Sequence, residues 1–213
     1  LNLAPGNLSG YEVCSHRTKD CFENCLYYAG YGYMPSVINA RMERTVFLFE
    51  DRETFMLQLM LEITLARKEA IKLGYKLAIR LNGTSDIPWE DYLLPEDFRN
   101  SDVQTLFDMF PNTQFYDYTK VPIMQRKTPD NYHLTYSWGG HNRKKCLWHL
   151  ANGWSVAIPY HGKMPEYWEG YKTVDGDKND LRFLDPPSSV VMLKAKGKLR
   201  TSDSPFVIGE RIA

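Results

Sequence analysis

Cysteine is scarce in this chain, with four residues among 213, and that scarcity excludes the disulfide framework on which small secreted folds rely. Net charge is missing as well: 26 Lys plus Arg balance 26 Asp plus Glu. The basic excess that phosphate binders usually carry is therefore absent from the chain as a whole. No apolar run approaches the roughly 18 residues of a membrane span. Leu1 to Gly10 shows no basic stretch followed by an apolar block, so no signal peptide is expected. No P-loop, GxGxxG, HExxH or GxSxG pattern occurs, which argues against nucleotide hydrolysis, Rossmann redox chemistry and α/β-hydrolase chemistry. What is present is core-forming material. At 43% hydrophobic and 14% aromatic, the chain is too apolar for a disordered or fibrous class and reads as a soluble, intracellular globular protein.

No repeat, low-complexity tract or charge block marks a linker, so residues 1–213 are expected to form a single α/β domain, with a cysteine-rich segment over residues 1–30. Leu1 to Leu3 reads as the end of a first strand, stopped by Pro5-Gly6. Phe55, Leu59, Ile63, Ala66, Ala70 and Leu73 recur at helical spacing, with Gly74 placed as a C-terminal cap. A strand follows over Lys76 to Leu81, a helix around Val103 to Phe110, and strands over Thr113 to Tyr118 and Tyr132 to Ser137. A helix over Arg143 to Ala151 leads to strands at Trp154 to Pro159 and Val190 to Leu193. Strands alternating with helices predict a largely parallel sheet: a partial or full β/α barrel, or alternatively an open doubly wound parallel sheet.

The polar residues sit where such sheets put their ligands, just beyond strand ends. Asn82, Ser85 and Asp86 follow one strand, and Asp117 and Lys120 close the next. Ser137, His141 and Asn142 follow a third. Loops are polar in any protein, so the set carries more weight than any one member. Asp175 and Asp177 belong to a carboxylate-rich run whose opening resembles a calcium loop but has Asp180 where the turn glycine belongs and Pro186 in place of the closing glutamate. That run is left as a substrate-binding or metal-binding loop, or a hydrogen-bonded turn. His133, His141, His149 and His161 fall in no ligand spacing and are expected on the surface or in the core.

Cys14, Cys21 and Cys25 are the sharpest signal. Cys21 and Cys25 are four apart and share a face on a helical turn, with Cys14 arriving from the loop before them. Three close thiols in a reducing compartment predict a metal site: a 4Fe-4S cluster, or alternatively zinc, for which the paired CxxC knuckles are absent. His16 and Cys146 are further candidate ligands, and Cys146 is otherwise a buried thiol.

Several stretches carry a resemblance: Cys14 to Gly30 (CSHRTKDCFENCLYYAG), Arg80 to Asp86 (RLNGTSD), Phe115 to Lys120 (FYDYTK), Tyr132 to Ser137 (YHLTYS), Val174 to Asp185 (VDGDKNDLRFLD) and Leu193 to Gly197 (LKAKG). Together, in order and over nearly the whole chain, they resemble the bacteriophage family known as gene product 88. The resemblance implies a phage or prophage origin and the cytoplasm of an infected bacterial host, and brings no settled activity. A weaker likeness is to radical S-adenosylmethionine enzymes, in which a cysteine triad follows the first strand of a partial β/α barrel. There the triad holds a four-iron cluster whose free iron binds the cofactor's amino and carboxylate groups. This chain has Cx6Cx3C where that superfamily has Cx3Cx2C. The likeness implies cluster ligands at Cys14, Cys21 and Cys25, and S-adenosylmethionine against Asn82, Ser85 and Asp86. Asp117, Lys120, Asp175 and Asp177 then stand as substrate-binding residues.

Three functions follow from these readings. The first is an iron–sulfur enzyme of the radical S-adenosylmethionine kind, with a small-molecule cofactor and an unspecified substrate. The second is a zinc-stabilised protein that binds nucleic acid or another protein without catalysis, using the basic run Lys194, Lys196, Lys198 and Arg200. The third is a divalent-metal nuclease or hydrolase built on Asp86, Asp117, Asp175, Asp177 and Asp180. No membrane partner is expected, and the sequence sets no oligomeric state.

Overall fold

The computed structural model describes residues 1–210. Seven strands among these residues form one sheet: β1 (Ala78–Ile79), β2 (Gln114–Thr119), β3 (Tyr132–Ser137), β4 (Val156–Tyr160), β5 (Tyr167–Trp168), β6 (Tyr171–Asp175) and β7 (Val190–Lys194), in the order β1-β2-β3-β4-β7-β6-β5. Every pairing is parallel except the β5–β6 hairpin. The sheet is open, with β1 and β5 as its ends among the described residues. A full barrel is therefore not formed, and the α/β class with a mostly parallel sheet stands. From β1 to β4 the chain adds each strand beside the last, always in the same direction.

Among the described residues five α-helices accompany the sheet: α1 (Lys19–Glu23), α2 (Pro35–Glu50), α3 (Arg52–Lys72), α4 (Leu106–Met109) and α5 (Arg143–Ala151). The spacing of Phe55, Leu59 and Ile63 puts all three in the core on one side of α3, together with Met56 and Met60. Asp51 caps its start by accepting the Thr54 N–H, and Gly74 ends it at φ +73°, a left-handed conformation that costs glycine little. The helix expected near Val103 to Phe110 is a single turn, locked by reciprocal Thr105 and Asp108 hydrogen bonds. The strand expected over Lys76 to Leu81 shortens to Ala78–Ile79. Beyond it the edge is taken by the N-terminal segment: the Leu1 nitrogen donates to the Arg80 carbonyl at 2.7 Å, and Gly83 donates to Leu1 at 2.8 Å. Leu1 to Leu3 thus runs beside β1 without forming a named strand.

Alternation along the strands gives the sheet two different faces. Phe115 and Tyr132 meet Phe107 of α4, with ring centroids 4.8 and 4.6 Å apart, and Tyr136 stacks on His149 of α5 at 3.9 Å. His149 is therefore a core residue; its Nε2 accepts the Ile123 N–H at 3.1 Å. The opposite face carries Tyr116, Tyr118 and His133, and is covered by the loop after β6, which packs Phe183 on Tyr116 at 5.6 Å. Gly176 lets this loop lie down, because a Cβ there would sit 2.7 Å from both Val191 and Leu193. No helix among the described residues is long and apolar enough to cross a membrane.

Candidate functional site

A cavity of about 550 Å³ opens where the parallel strands end. Arg80 and the loop from Asn82 to Asp86 come from beyond β1; Tyr118 to Lys120 from β2; Ser137 and Trp138 from β3; Ala157 and Pro159 from β4; Leu193 to Lys196 from β7. Carboxyl ends of parallel strands are where α/β sheets bind their ligands, since the loops there vary freely over a rigid base. The remaining wall is the cysteine segment, with Cys14, Cys21 and Cys25 all lining the cavity.

Each cysteine is set by local hydrogen bonds. Thr18 caps α1 by accepting the Cys21 N–H at 3.1 Å. Cys25 Sγ accepts the Tyr27 N–H at 3.5 Å at the start of the 3-10 turn Leu26–Tyr28. Cys14 Sγ donates to the Thr84 carbonyl at 3.8 Å, and the Asp86 N–H donates to Val13 at 2.7 Å. The cysteine loop and the Asn82–Asp86 loop are thereby sewn together. None of the three thiols is in a disulfide. Burial pushes Cys14 up to about 12 and also raises Cys25, so neither is a free thiolate nucleophile at neutral pH. Cys146 lies apart on α5, fully buried, and burial pushes it up to about 12. His16 does not line the cavity.

Asn82, Ser85, Asp86, Lys120 and Asp177 all reach the cavity wall, but with different freedom. Asn82 turns inward: its Oδ1 accepts from Ser85 Oγ at 2.8 Å, Ile87 N at 3.0 Å and Trp89 Nε1 at 3.2 Å, and its Nδ2 donates to Ile87 O at 2.9 Å. Asn82 and Ser85 therefore shape the loop with their side chains and offer the cavity their backbone. Asp86 Oδ2 accepts the Lys120 N–H at 2.8 Å, and its other oxygen faces Arg126, which is held bidentately by Glu90. Asp177 accepts from Lys196 Nζ at 2.6 Å and Lys194 N at 2.8 Å. Burial raises this carboxyl, and those hydrogen bonds outweigh it and leave it below its ordinary value. Asp175 accepts the Asp177 N–H at 3.0 Å and shapes the turn outside the cavity wall.

Asp117 is elsewhere. It points to the helix-covered face, where it accepts from Asn82 N and Tyr132 Oη, both at 2.7 Å, and is 1% exposed. Burial lifts its carboxyl to about 7, against the pull of those two donors and the Arg80 charge. A raised carboxylate binds a proton in the fold that the unfolded chain has already released. Its contribution to stability is thus complete below the ordinary 3.8 and is lost as pH rises through about 7. At about 1.4 kcal/mol per pH unit, the loss is about 4 kcal/mol. Urea unfolding at pH 4 and pH 8 should show this decline for the native chain and a flatter profile for Asp117→Asn; parallel profiles would assign the carboxyl an ordinary pKa.

Sequence reasoning missed the triad closing the cavity on its far side. Arg80 pairs with Asp180 at 2.9 Å and lies 4.6 Å over the Tyr118 ring, while Tyr118 Oη donates to Asp180 at 3.0 Å. Strand alternation places Arg80 and Tyr118 on one face, but the partner comes from 100 residues downstream. Trp138 and Phe206 were missed too: Trp138 Nε1 donates to Pro205 O at 3.0 Å, and Lys120 Nζ stands 5.3 Å over the Phe206 ring. The carboxylates of the divalent-metal reading are individually bound to Arg, Lys, Tyr or backbone donors. Among the described residues no three His, Cys, Asp or Glu side chains meet as ligands of a single ion.

The comparisons accord with the resemblance seen in the motifs. No curated protein and no solved structure matches the chain. A family model described as gene product 88 matches residues 1–209, spanning the cysteine segment, every strand and the Phe206 wall of the cavity. The chain belongs to the gene product 88 family.

Proposed function

We propose that the protein is an iron–sulfur enzyme in which Cys14, Cys21 and Cys25 hold a 4Fe-4S cluster beside a pocket for a sulfonium cofactor of the S-adenosylmethionine type. The observation that carries this reading is the placement of all three cysteines on one cavity wall at the strand ends. A single zinc ion requires its ligands to meet in one tetrahedron, whereas a cubane cluster takes each thiolate on a different iron. Three ligands leave one iron open for a cofactor. The one-directional winding from β1 to β4, with α4 and α5 on one face of the sheet, supports a partial-barrel reading of the fold.

When bound, such a cluster supplies single electrons to the cofactor's carbon–sulfur bond. The chain's own residues bind and exclude water. Lys120 and Lys194 present positive charge for a carboxylate, while Tyr118 and Trp138 offer aromatic surface. Burial and the Asp180 charge raise the Tyr118 phenol, so it acts as a neutral hydrogen-bond donor. The Arg80–Asp180 and Lys196–Asp177 pairs pin the loop after β6 to the cavity wall. The test is elemental analysis and the visible spectrum of protein purified without oxygen. Brown protein with about four irons and four sulfides per chain is expected. Protein that stays free of iron after anaerobic reconstitution, with its thiols reduced, would sink the reading. One bound zinc would replace it with the structural-metal alternative.

A further inference from the structure

Beside the cavity lies a surface where two carboxylate-free segments meet. Residues 24–42 contain no carboxylate and expose Leu26, Tyr31, Tyr33 and Met34, with Tyr31 83% and Tyr33 55% accessible. Large exposed aromatics this close together are unusual on a soluble protein. Residues 186–202 likewise contain no carboxylate and carry Lys194, Lys196, Lys198 and Arg200, all exposed, of which Lys196 is paired with Asp177 from the loop after β6. The fold brings the two segments into contact. Lys198 Nζ sits 4.6 Å over the Tyr28 ring, and the Gly197 backbone packs so closely on Ala29 that a Cβ would come within 3.1 Å of it. Both segments continue into the cavity, which Leu26, Lys194, Lys196 and Leu199 line.

We propose that this rim binds single-stranded nucleic acid and presents one nucleotide to the cavity. Tyrosine faces stack unpaired bases without regard to sequence, and the basic row runs alongside to meet phosphates. A protein partner with a complementary acidic face would use the same charge; exposed rings beside a basic row favour the strand, because every nucleotide offers both a π-face and a phosphate. The chain as a whole is neutral, so the row is a local feature; what sets it apart from the basic start of α5 is that exposed tyrosines stand beside it. The proposal rests on the cavity as the reactive site for its second half only; strand binding itself needs no cluster.

The experiment is fluorescence anisotropy with labelled oligothymidylate and oligouridylate of about 15 nucleotides, at low salt and then with increasing salt. Binding to either strand is expected, with a log–log salt slope of roughly −2 for about three phosphate contacts. Tyr31→Ala/Tyr33→Ala and Lys198→Ala/Arg200→Ala should each weaken it roughly tenfold or more; because all four side chains are exposed, both variants should fold. A Cys14→Ser/Cys21→Ser/Cys25→Ser variant should bind the strand as the native chain does, so loss of the cluster reading and loss of the strand reading are separate results. No binding to either strand, equal binding to a duplex of the same length, or rim variants that bind unchanged would overturn the proposal. Self-association through the rim without oligonucleotide binding would identify it as a contact between copies.

Discussion

Single replacement of Cys14, Cys21 or Cys25 with Ser is expected to reduce bound iron and visible absorption to background, whereas Cys146→Ser leaves both intact. The reason is positional. The first three line one cavity, while Cys146 is fully buried on α5, away from the wall. Serine keeps the size and the local hydrogen bonding but lacks a soft thiolate. The segment has anchors besides the thiol hydrogen bonds, which a serine hydroxyl can replace: Thr18 caps α1, Arg17 Nη1 donates to the Cys14 carbonyl at 3.3 Å, and Ser204 Oγ donates to Asp20 at 2.6 Å. Circular dichroism should therefore be unchanged as the cluster disappears. Cys146→Ser should instead cost about 1–3 kcal/mol of stability, because it buries a hydroxyl where the thiol behaved as a small apolar group. Iron counts from the native chain and the four variants decide the matter. If all three cavity variants retain the native complement, the thiols are not its ligands. If Cys146→Ser also loses it, the buried thiol is a ligand that becomes reachable only when the site is assembled.

Much of this site was legible because it is local. The cysteine spacing, the Asn82–Asp86 turn and Lys120 lie beside recognisable strand or turn signals, and the topology delivers them to one end of the sheet. What escaped was long-range or unpatterned. Asp117 looked like a strand-end ligand, but strand alternation pairs it with Leu134 on the helix side. Helix α2 was not predicted, since its buried positions are only Thr45 and Leu48. The polar Thr45 is core-facing because its hydroxyl accepts the Ala4 N–H at 2.9 Å, a contact no periodicity encodes. The β5–β6 hairpin was missed for a different reason: it is a short, half-exposed edge without an apolar stripe. Nor does sequence show that Asp180 belongs with Arg80, because their meeting depends on the loop after β6 folding back over the sheet.

Asn82→Ala is expected to lower the unfolding free energy by about 3–5 kcal/mol, a large loss for a single polar side chain. At 2% exposure, this amide is the hub of the loop that carries Ser85 and Asp86. Its removal leaves Ile87 N, Trp89 Nε1 and Ser85 Oγ without their acceptor, while Ile87 O keeps only the Trp89 N–H, at 3.0 Å. Each orphaned group costs about 1–3 kcal/mol, and the sum is reduced because they share one neighbourhood and water can enter from the cavity. Asn82→Asp separates the two halves of the amide's role. It keeps the acceptors but loses the donor to Asp117 Oδ2, 3.3 Å away, and places a second carboxyl there. Like charges at that distance resist joint ionisation, so this variant should approach native stability at low pH and fall further behind as the carboxyls ionise towards neutrality. Urea unfolding of both variants at pH 5 and pH 8 tests the argument. An Asn82→Ala loss below about 1 kcal/mol would mean that water replaces the amide, and that Ile87, Trp89 and the loop they fix are held by packing alone.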